Sequence, residues 1–140
     1  MKKIIFVAIL FFTLIINASS EIFEVNGINY QTTSIQTVEV IQKTPKYQGD
    51  IAIPAYIHFN DKTFYVTKIS WEAFKDCDAL TSVTLTNNIN DIGSSAFNNC
   101  PNLTSVIIGN NIKTIGANAF SDCGKLASII LPYSLIQIGD

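Results

Sequence analysis

Residues 73–95 read AFKDCDALTSVTLTNNINDIGSS, residues 96–118 read AFNNCPNLTSVIIGNNIKTIGAN, and residues 119–140 read AFSDCGKLASIILPYSLIQIGD. Set one beneath another, the three lines agree at a spacing of 23 residues. Phe74, Phe97 and Phe120 share a column, as do Cys77, Cys100 and Cys123, and Leu80, Leu103 and Leu126. Val83, Val106 and Ile129 form another, followed by Leu85, Ile108 and Leu131, and by Ile92, Ile115 and Ile138. A fixed period of 20 to 50 residues marks a solenoid. Each unit presents an apolar face that only its neighbour can cover.

Within a unit, Leu80 to Leu85 and its copies are predicted strands, with Leu80, Val83 and Leu85 pointing inward. Asn87-Asn88 and Asn110-Asn111 are turn formers, and Gly93, Gly116 and Gly139 are expected to permit a tight reversal. Ala73-Phe74 and its equivalents are expected to open a short helical or 3₁₀ segment on the far, convex side, with each Phe filling the centre. Too few residues separate Gly93 from Leu103 for a longer helix.

Ahead of the repeats, residues 21–70 read as β-rich. Asn26-Gly27 lies between Phe23-Glu24-Val25 and Ile28-Asn29-Tyr30, a strong hairpin signal. Thr37 to Ile41 alternates in character and is placed to pair with Tyr30 to Thr33. Ile53-Pro54 matches Leu131-Pro132, and Val66 to Ile69 matches Ile112 to Ile115, but nine additional residues intervene. These centre on Asn60-Asp61-Lys62 and are expected to form a second hairpin, with Tyr56, Ile57 and Phe59 facing Phe64, Tyr65 and Val66. The whole segment is read as a β-structured N-terminal cap, because the end coil of a solenoid leaves a strand edge and an apolar face to be shielded. The domain reading is therefore residues 1–20 as leader, 21–70 as cap and 71–140 as repeats, the last unit incomplete.

Residues 1–20 have the anatomy of a cleavable signal peptide: Lys2-Lys3, an uncharged run from Ile4 to Ile16, and small residues at Ala18-Ser19-Ser20. Cleavage is placed after Ser20, with Ala18 as the alternative site and an uncleaved anchor as the alternative outcome. The apolar run is shorter than the ~20 residues of a comfortable membrane span. Loss of the two lysines shifts the formal charge from −2 to about −4, and the chain has no Arg. That excludes the clustered cations by which proteins grip nucleic-acid phosphates or an anionic membrane surface. An exported protein with three Cys invites a search for disulfides. All three occupy one repeat position, so they are expected to stack inside the coil as small buried apolar residues. A disulfide between adjacent rungs, leaving one thiol free, is the alternative. The 23-residue spacing is not that of zinc ligands.

Catalytic signatures are missing from the sequence. His58 is the single histidine, and no Gly-x-Ser-x-Gly, Ser-x-x-Lys or His-Glu-x-x-His occurs. Glu72, Asp76, Asp78, Asp91 and Asp122 mostly fall in slots that other units fill with uncharged residues such as Ser, Asn, Gly, Thr or Gln, which is how a solvated face behaves. They form no calcium loop. No cofactor and no metal are expected. For binding, the outward strand positions make a small concave plate of Ser82 and Thr84, Ser105 and Ile107, Ser128 and Ile130. Ile107 and Ile130 read equally as an apolar anchor or as good strand formers. Trp71 occupies a slot held by Ser94 and Ala117 in the next units, and is expected to pack on the cap hairpin; an exposed hot spot is the alternative. The sequon at Asn102 is discounted because Leu103 is a predicted core residue.

The pattern L-x-x-V-x-L followed by I-x-x-I-G-x-x-A-F-x-x-C resembles the leucine-rich repeats of the BspA-like class, found in surface proteins of anaerobic bacteria and some mucosal protists. Asn26 to Tyr30, Val38 to Val40, Tyr47 to Gly49, Ile53-Pro54 and Val66 to Ile69 also resemble the usual leader to such repeats. Ser70 departs from an expected Gly, and Thr86 and Gly109 stand where Pro is common. The resemblance implies a right-handed leucine-rich-repeat solenoid, secreted or displayed on the cell surface. It implies binding of a protein or glycan on a host or microbial surface, and no catalytic residues. The rival expectations are a structural spacer or cap within a larger surface assembly, and a fragment of a longer multidomain protein whose catalytic part lies beyond Asp140. An uncovered C-terminal coil is expected either to continue in a longer chain or to self-associate.

Overall fold

The computed structural model describes residues 20–140, and the leader expected over residues 1–20 lies, but for Ser20, outside the described residues. Among the described residues there are eleven strands: β1 (Ile22–Val25), β2 (Ile28–Thr32), β3 (Thr37–Val40), β4 (Gly49–Ala52), β5 (Tyr56–Phe59), β6 (Lys62–Ile69), β7 (Leu80–Thr84), β8 (Asp91–Ile92), β9 (Ser105–Ile107), β10 (Thr114–Ile115) and β11 (Gln137–Ile138). They form two sheets. The larger runs β1-β2-β3-β6-β8-β10-β11, with β5 pairing part of β6; the smaller runs β4-β7-β9. Within the repeats every pairing is parallel, as it must be when successive coils of one winding lie side by side.

Local chemistry fixes the hairpins. Asn26 and Gly27 both adopt positive φ, and so do Asn60 and Asp61, the geometry of two-residue turns that match strand twist. The first turn closes β1 on β2 through Val25 and Ile28, and the second closes β5 on β6 through Phe59 and Lys62. β3 then pairs antiparallel with β2 and parallel with β6. Along β6, the first half holds β5 and the last two residues hold β8. The parallel ladders reach back past Ser70: β4 pairs with β7, so residues 49–69 make a coil of their own into which β5 is inserted.

The third side of each coil corrects the expectation of a short helical or 3₁₀ segment. Among the described residues none is helical. Two successive turns form instead, closed by the amides of Ala73 and Lys75 on the carbonyls of Ser70 and Glu72. Glu72 and Asp76 adopt positive φ, as do Ser95 and Asn99, and Asn118 and Asp122. A left-handed residue every fourth position ends any helical run before it can propagate. The same geometry frees alternate amides, so that Glu72, Phe74 and Asp76 donate to Ser94, Ala96 and Asn98 of the next coil. Asn and Asp recur before the Cys column because they tolerate this conformation best.

Gly93, Gly116 and Gly139 are not in the left-handed region, contrary to the reversal expected of them. Their role is close approach: a Cβ on Gly116 would stand 2.3 Å from the backbone nitrogen of Ser94, and one on Gly139 would stand 2.4 Å from that of Ala117. The interior is a continuous apolar column. Phe74, Phe97 and the Leu, Val and Ile positions named above are buried through the first two units except for Ile108, which is partly covered, as are Phe120 and Leu126 in the third. Cys77, Cys100 and Cys123 are buried free thiols, and Cys100 and Cys123 donate to the carbonyls of Phe74 and Phe97 at 3.1 and 3.0 Å. No helix among the described residues is long and apolar enough to cross a membrane.

Candidate binding surfaces

The smaller sheet carries two of the three strands expected of the plate, β7 and β9, and adds β4 on their other side. Asp50 stands opposite Ser82, and Ala52 opposite Thr84, so β4 supplies a fourth pair of outward positions. The Ile53-Pro54 match to Leu131-Pro132 places Asp50 in the column of Ser82, Ser105 and Ser128, and so held the signal for this residue. Asp50 also changes the character of the plate. Its Oδ1 accepts hydroxyl hydrogen bonds from Thr81 and Ser82, each 2.7 Å long, and these hold its carboxyl below the usual range. The Ser82 hydroxyl is thereby committed within the protein, whereas Thr84, Ser105 and Ser128 remain exposed.

The third copy of the strand departs from expectation. Residues 126–131 form no strand, and among the described residues no backbone hydrogen bond joins residues 127–131 to β9. The segment stands off from β9 and leaves a cleft of about 800 Å³. Ser105, Ile107, Ile108, Ser128, Ile130 and Tyr133 are among its walls. Ile107 is 59% exposed and Ile130 88%, so the two isoleucines face a common space and are not stacked as ladder neighbours. Leu126 and Ile129 are correspondingly only half-buried, because the rung is not drawn against the coil before it.

Trp71 is left largely uncovered by the β5–β6 hairpin expected to hold it. It is 60% exposed and borders a second, smaller groove beside the larger sheet. A polar ladder runs along that sheet: Lys68, Asp91, Thr114 and Gln137 stand abreast on β6, β8, β10 and β11. Lys68 Nζ lies 3.1 Å from Asp91 Oδ2 and 3.9 Å from Glu39 Oε2, and the Thr114 hydroxyl donates to Asp91. Of the binding residues expected from the sequence, the structure thus brings Ser105, Ile107, Ser128 and Ile130 together, sets Ser82 and Thr84 further along the same sheet, and puts Trp71 elsewhere.

The titratable groups are dispersed. His58 lies on β5 with its Nδ1 3.0 Å from the Thr63 hydroxyl and its ring edge-on to Tyr56. Among the described residues no three His, Cys, Asp or Glu side chains gather as a metal ion would require. Tyr47 is structural: its hydroxyl donates to the Ile41 carbonyl and accepts from the Asn29 amide, and burial pushes its pKa up to about 12. Burial, reinforced by the neighbouring Tyr47, raises Tyr30 as well.

Comparison with known proteins bears on this geometry. A family model described as BspA type leucine rich repeat region (6 copies) matches residues 55–140. A leucine-rich repeat protein from Bacteroides ovatus is 31% identical with a TM-score of 0.74, over 84% of this chain and 31% of its own. A leucine rich cell surface protein from Faecalibacterium prausnitzii is 27% identical with a TM-score of 0.72, over 84% of this chain and 32% of its own. A leucine-rich repeat protein from Bacteroides capillosus shares the fold at 24% identity and a TM-score of 0.76, over 84% of this chain and 86% of its own. The chain thus spans about a third of the first two. No curated protein matches, and none of the matches indicates an enzymatic family.

Proposed function

We propose, from the premise that this chain belongs to the BspA-type leucine-rich-repeat family, that it is an exported, non-catalytic module which captures a protein partner through its concave sheet. The observation that carries this reading is the cleft between β9 and residues 127–134, where Ile107 and Ile130 stand exposed beside a strand edge that has no backbone partner among the described residues. An extended segment of the partner supplies both things the site lacks: backbone groups for the edge of β9 and apolar side chains for the isoleucines. The rim of Thr84, Ser105 and Ser128 hydroxyls is mild enough to be desolvated without a large penalty.

Two architectural elements belong to the reading. The coil is right-handed, and β1 to β3 act as its N-terminal cap, with β3 occupying the edge of β6 that would otherwise stand open. Export rests on the basic, apolar and small-residue succession of residues 1–20. The cell-surface description of the Faecalibacterium prausnitzii relative supports display. Mass spectrometry of the secreted protein is expected to find Glu21 as its first residue; a retained leader overturns cleavable export.

The concave-face reading is tested with purified extracellular matrix proteins and cell-surface proteins immobilised on a biosensor. Binding by the wild-type chain that falls ~10-fold or more in both Ile107→Lys and Ile130→Lys supports it. Binding that survives both removes the cleft from consideration. Ile136 and Ile138 expose a further apolar strip around β11. A second copy of the chain is the alternative occupant there, and light scattering at rising concentration reads it directly.

A further inference from the structure

Trp71 is the single tryptophan of the chain, and it stands mostly in solvent. Its indole carries both an apolar body and a polar tip suited to recognition. In the next two coils Ser94 and Ala117 take the same position, so beside the indole the surface drops away. The result is a groove of about 480 Å³, with Trp71 as its end wall and the ladder of Lys68, Asp91, Thr114 and Gln137 as its side. Its volume is within the range of small-molecule sites.

The geometry points to this groove as a carbohydrate site, taking an uncharged oligosaccharide with one ring stacked on Trp71 and its hydroxyls bonded along the ladder. Charge makes the first argument. Among the lining residues Lys68 and Asp91 cancel, and Glu39 beside the same ammonium leaves a local excess of one negative charge, so the groove disfavours anions. Hydrogen bonding makes the second. The ladder offers an ammonium donor, a carboxylate acceptor, a hydroxyl, and an amide that is both donor and acceptor. A sugar ring presents hydroxyls that donate and accept around its rim, and an apolar C–H face for the indole. A purely apolar plug would instead strip water from Lys68, Asp91 and Gln137 without replacing it. Preorganisation makes the third. Parallel pairing holds these side chains in register, and Lys68, Asp91 and Thr114 are already linked, so little freedom is lost on binding.

This site lies on the larger sheet and is independent of the concave cleft, so either can fail without the other. Because Trp71 is the only tryptophan, its emission reports directly on the groove. The full chain is titrated with lactose, maltose, cellobiose and N,N′-diacetylchitobiose, and is applied in parallel to an array of neutral glycans. The expected result is a saturable blue shift with at least one sugar. Calorimetry with that sugar is expected to show a loss of ~10-fold or more for Trp71→Ala and for Gln137→Ala. Trp71→Phe should retain part of the affinity, and Ile130→Lys should leave it unchanged. Trp71 and Gln137 are exposed, so circular dichroism should show both variants folded. A blank array with no emission shift overturns the proposal, and so does sugar binding that survives Trp71→Ala. A Trp71-dependent protein contact with no response to any sugar also overturns it, and reassigns the groove to a peptide.

Discussion

The phenyl rings of Phe74 and Phe97 lie with their centroids 4.9 Å apart and their planes within 9° of parallel. Phe120 continues the stack at 5.2 Å and 3°, and Tyr47 closes its other end, tilted, at 4.6 Å from Phe74. Phe97 alone has aromatic rings on both sides within the repeats, so its removal opens the column at the middle. Phe97→Ala is expected to cost ~3–5 kcal/mol, in the range of buried aromatic truncations. Phe120→Ala should cost distinctly less, since that ring is partly exposed and stacked on one side. Urea titrations followed by circular dichroism measure both, and equal losses would contradict a stacked column.

Close coil approach gives a second, sharper test. A methyl group on Gly116 would meet Ser94 backbone atoms at 2.3 and 2.6 Å, whereas one on Gly124 has nothing within 4 Å. Backbone cannot swing aside as a side chain can, so Gly116→Ala is expected to destabilise by ~2 kcal/mol or more through overpacking. Gly124→Ala should be neutral or slightly stabilising by reducing unfolded-state freedom. Thermal melts of the pair decide whether the glycine column serves proximity or turning.

The Phe, Cys and Leu columns are legible in the sequence because a 23-residue period translates directly into vertical stacking, whatever the local backbone does. Both hairpins are legible because Asn-Gly and Asn-Asp adopt positive φ at little cost. The convex side is not: a helix and a chain of turns bury Phe74 equally well, and only the φ of Glu72 and Asp76 separates them. The exposure of Trp71 is legible in part, because the small residues at Ser94 and Ala117 already imply open space beside it. The standing-off of residues 127–131 has no local signature, since Ile129-Ile130-Leu131 is as good a strand sequence as Val106-Ile107-Ile108.

The cysteine column makes a chemical prediction. Cys77 and Cys100 are fully buried and Cys123 is nearly so, and two of the thiols donate to carbonyls of the preceding coil. A thiol reagent is therefore expected to modify the native chain only through local opening, with Cys123 reacting first because it lies in the least covered coil. All three should react at once in guanidinium chloride. Cys100→Ala should cost about 1 kcal/mol for the lost volume and the Phe74 carbonyl left without its donor. Mass spectrometry of the labelled peptides gives the order, and prompt native labelling of Cys100 would contradict this packing.

Alkaline pH probes the Tyr47 contact. Its folded pKa of about 12 stands above the ordinary 10.0, chiefly because burial disfavours the phenolate. The stability this provides is intact below pH 10 and is lost as pH rises toward 12, because the unfolded chain releases the proton first. Over that window each such phenol is expected to remove about 1 kcal/mol per pH unit. Tyr47→Phe should flatten the decline while lowering stability at neutral pH by ~1–2 kcal/mol, since the Asn29 amide and Ile41 carbonyl lose their partner. Melts at pH 8 to 11 on both proteins supply the comparison; parallel curves would place the alkaline sensitivity elsewhere.

Thr86 is the one place where the core is chemically unresolved. It follows Leu85 at the end of the concave run, and its Oγ1 is the single buried side-chain nitrogen or oxygen among the described residues without a hydrogen-bond partner. The next coil cannot relieve it, because Gly109 crowds in from that side: a Cβ there would stand 2.4 Å from the Thr86 carbonyl oxygen. Valine keeps the branched shape and removes only the stranded hydroxyl. Thr86→Val is therefore expected to stabilise the chain by about 1 kcal/mol, the usual order of an unsatisfied buried polar group. Thr86→Ser keeps the hydroxyl and loses a methyl, so it should destabilise by a similar amount. Chemical denaturation of the three proteins separates the contributions, and a valine variant weaker than wild type would show that the Thr86 hydroxyl has a hydrogen-bond partner after all.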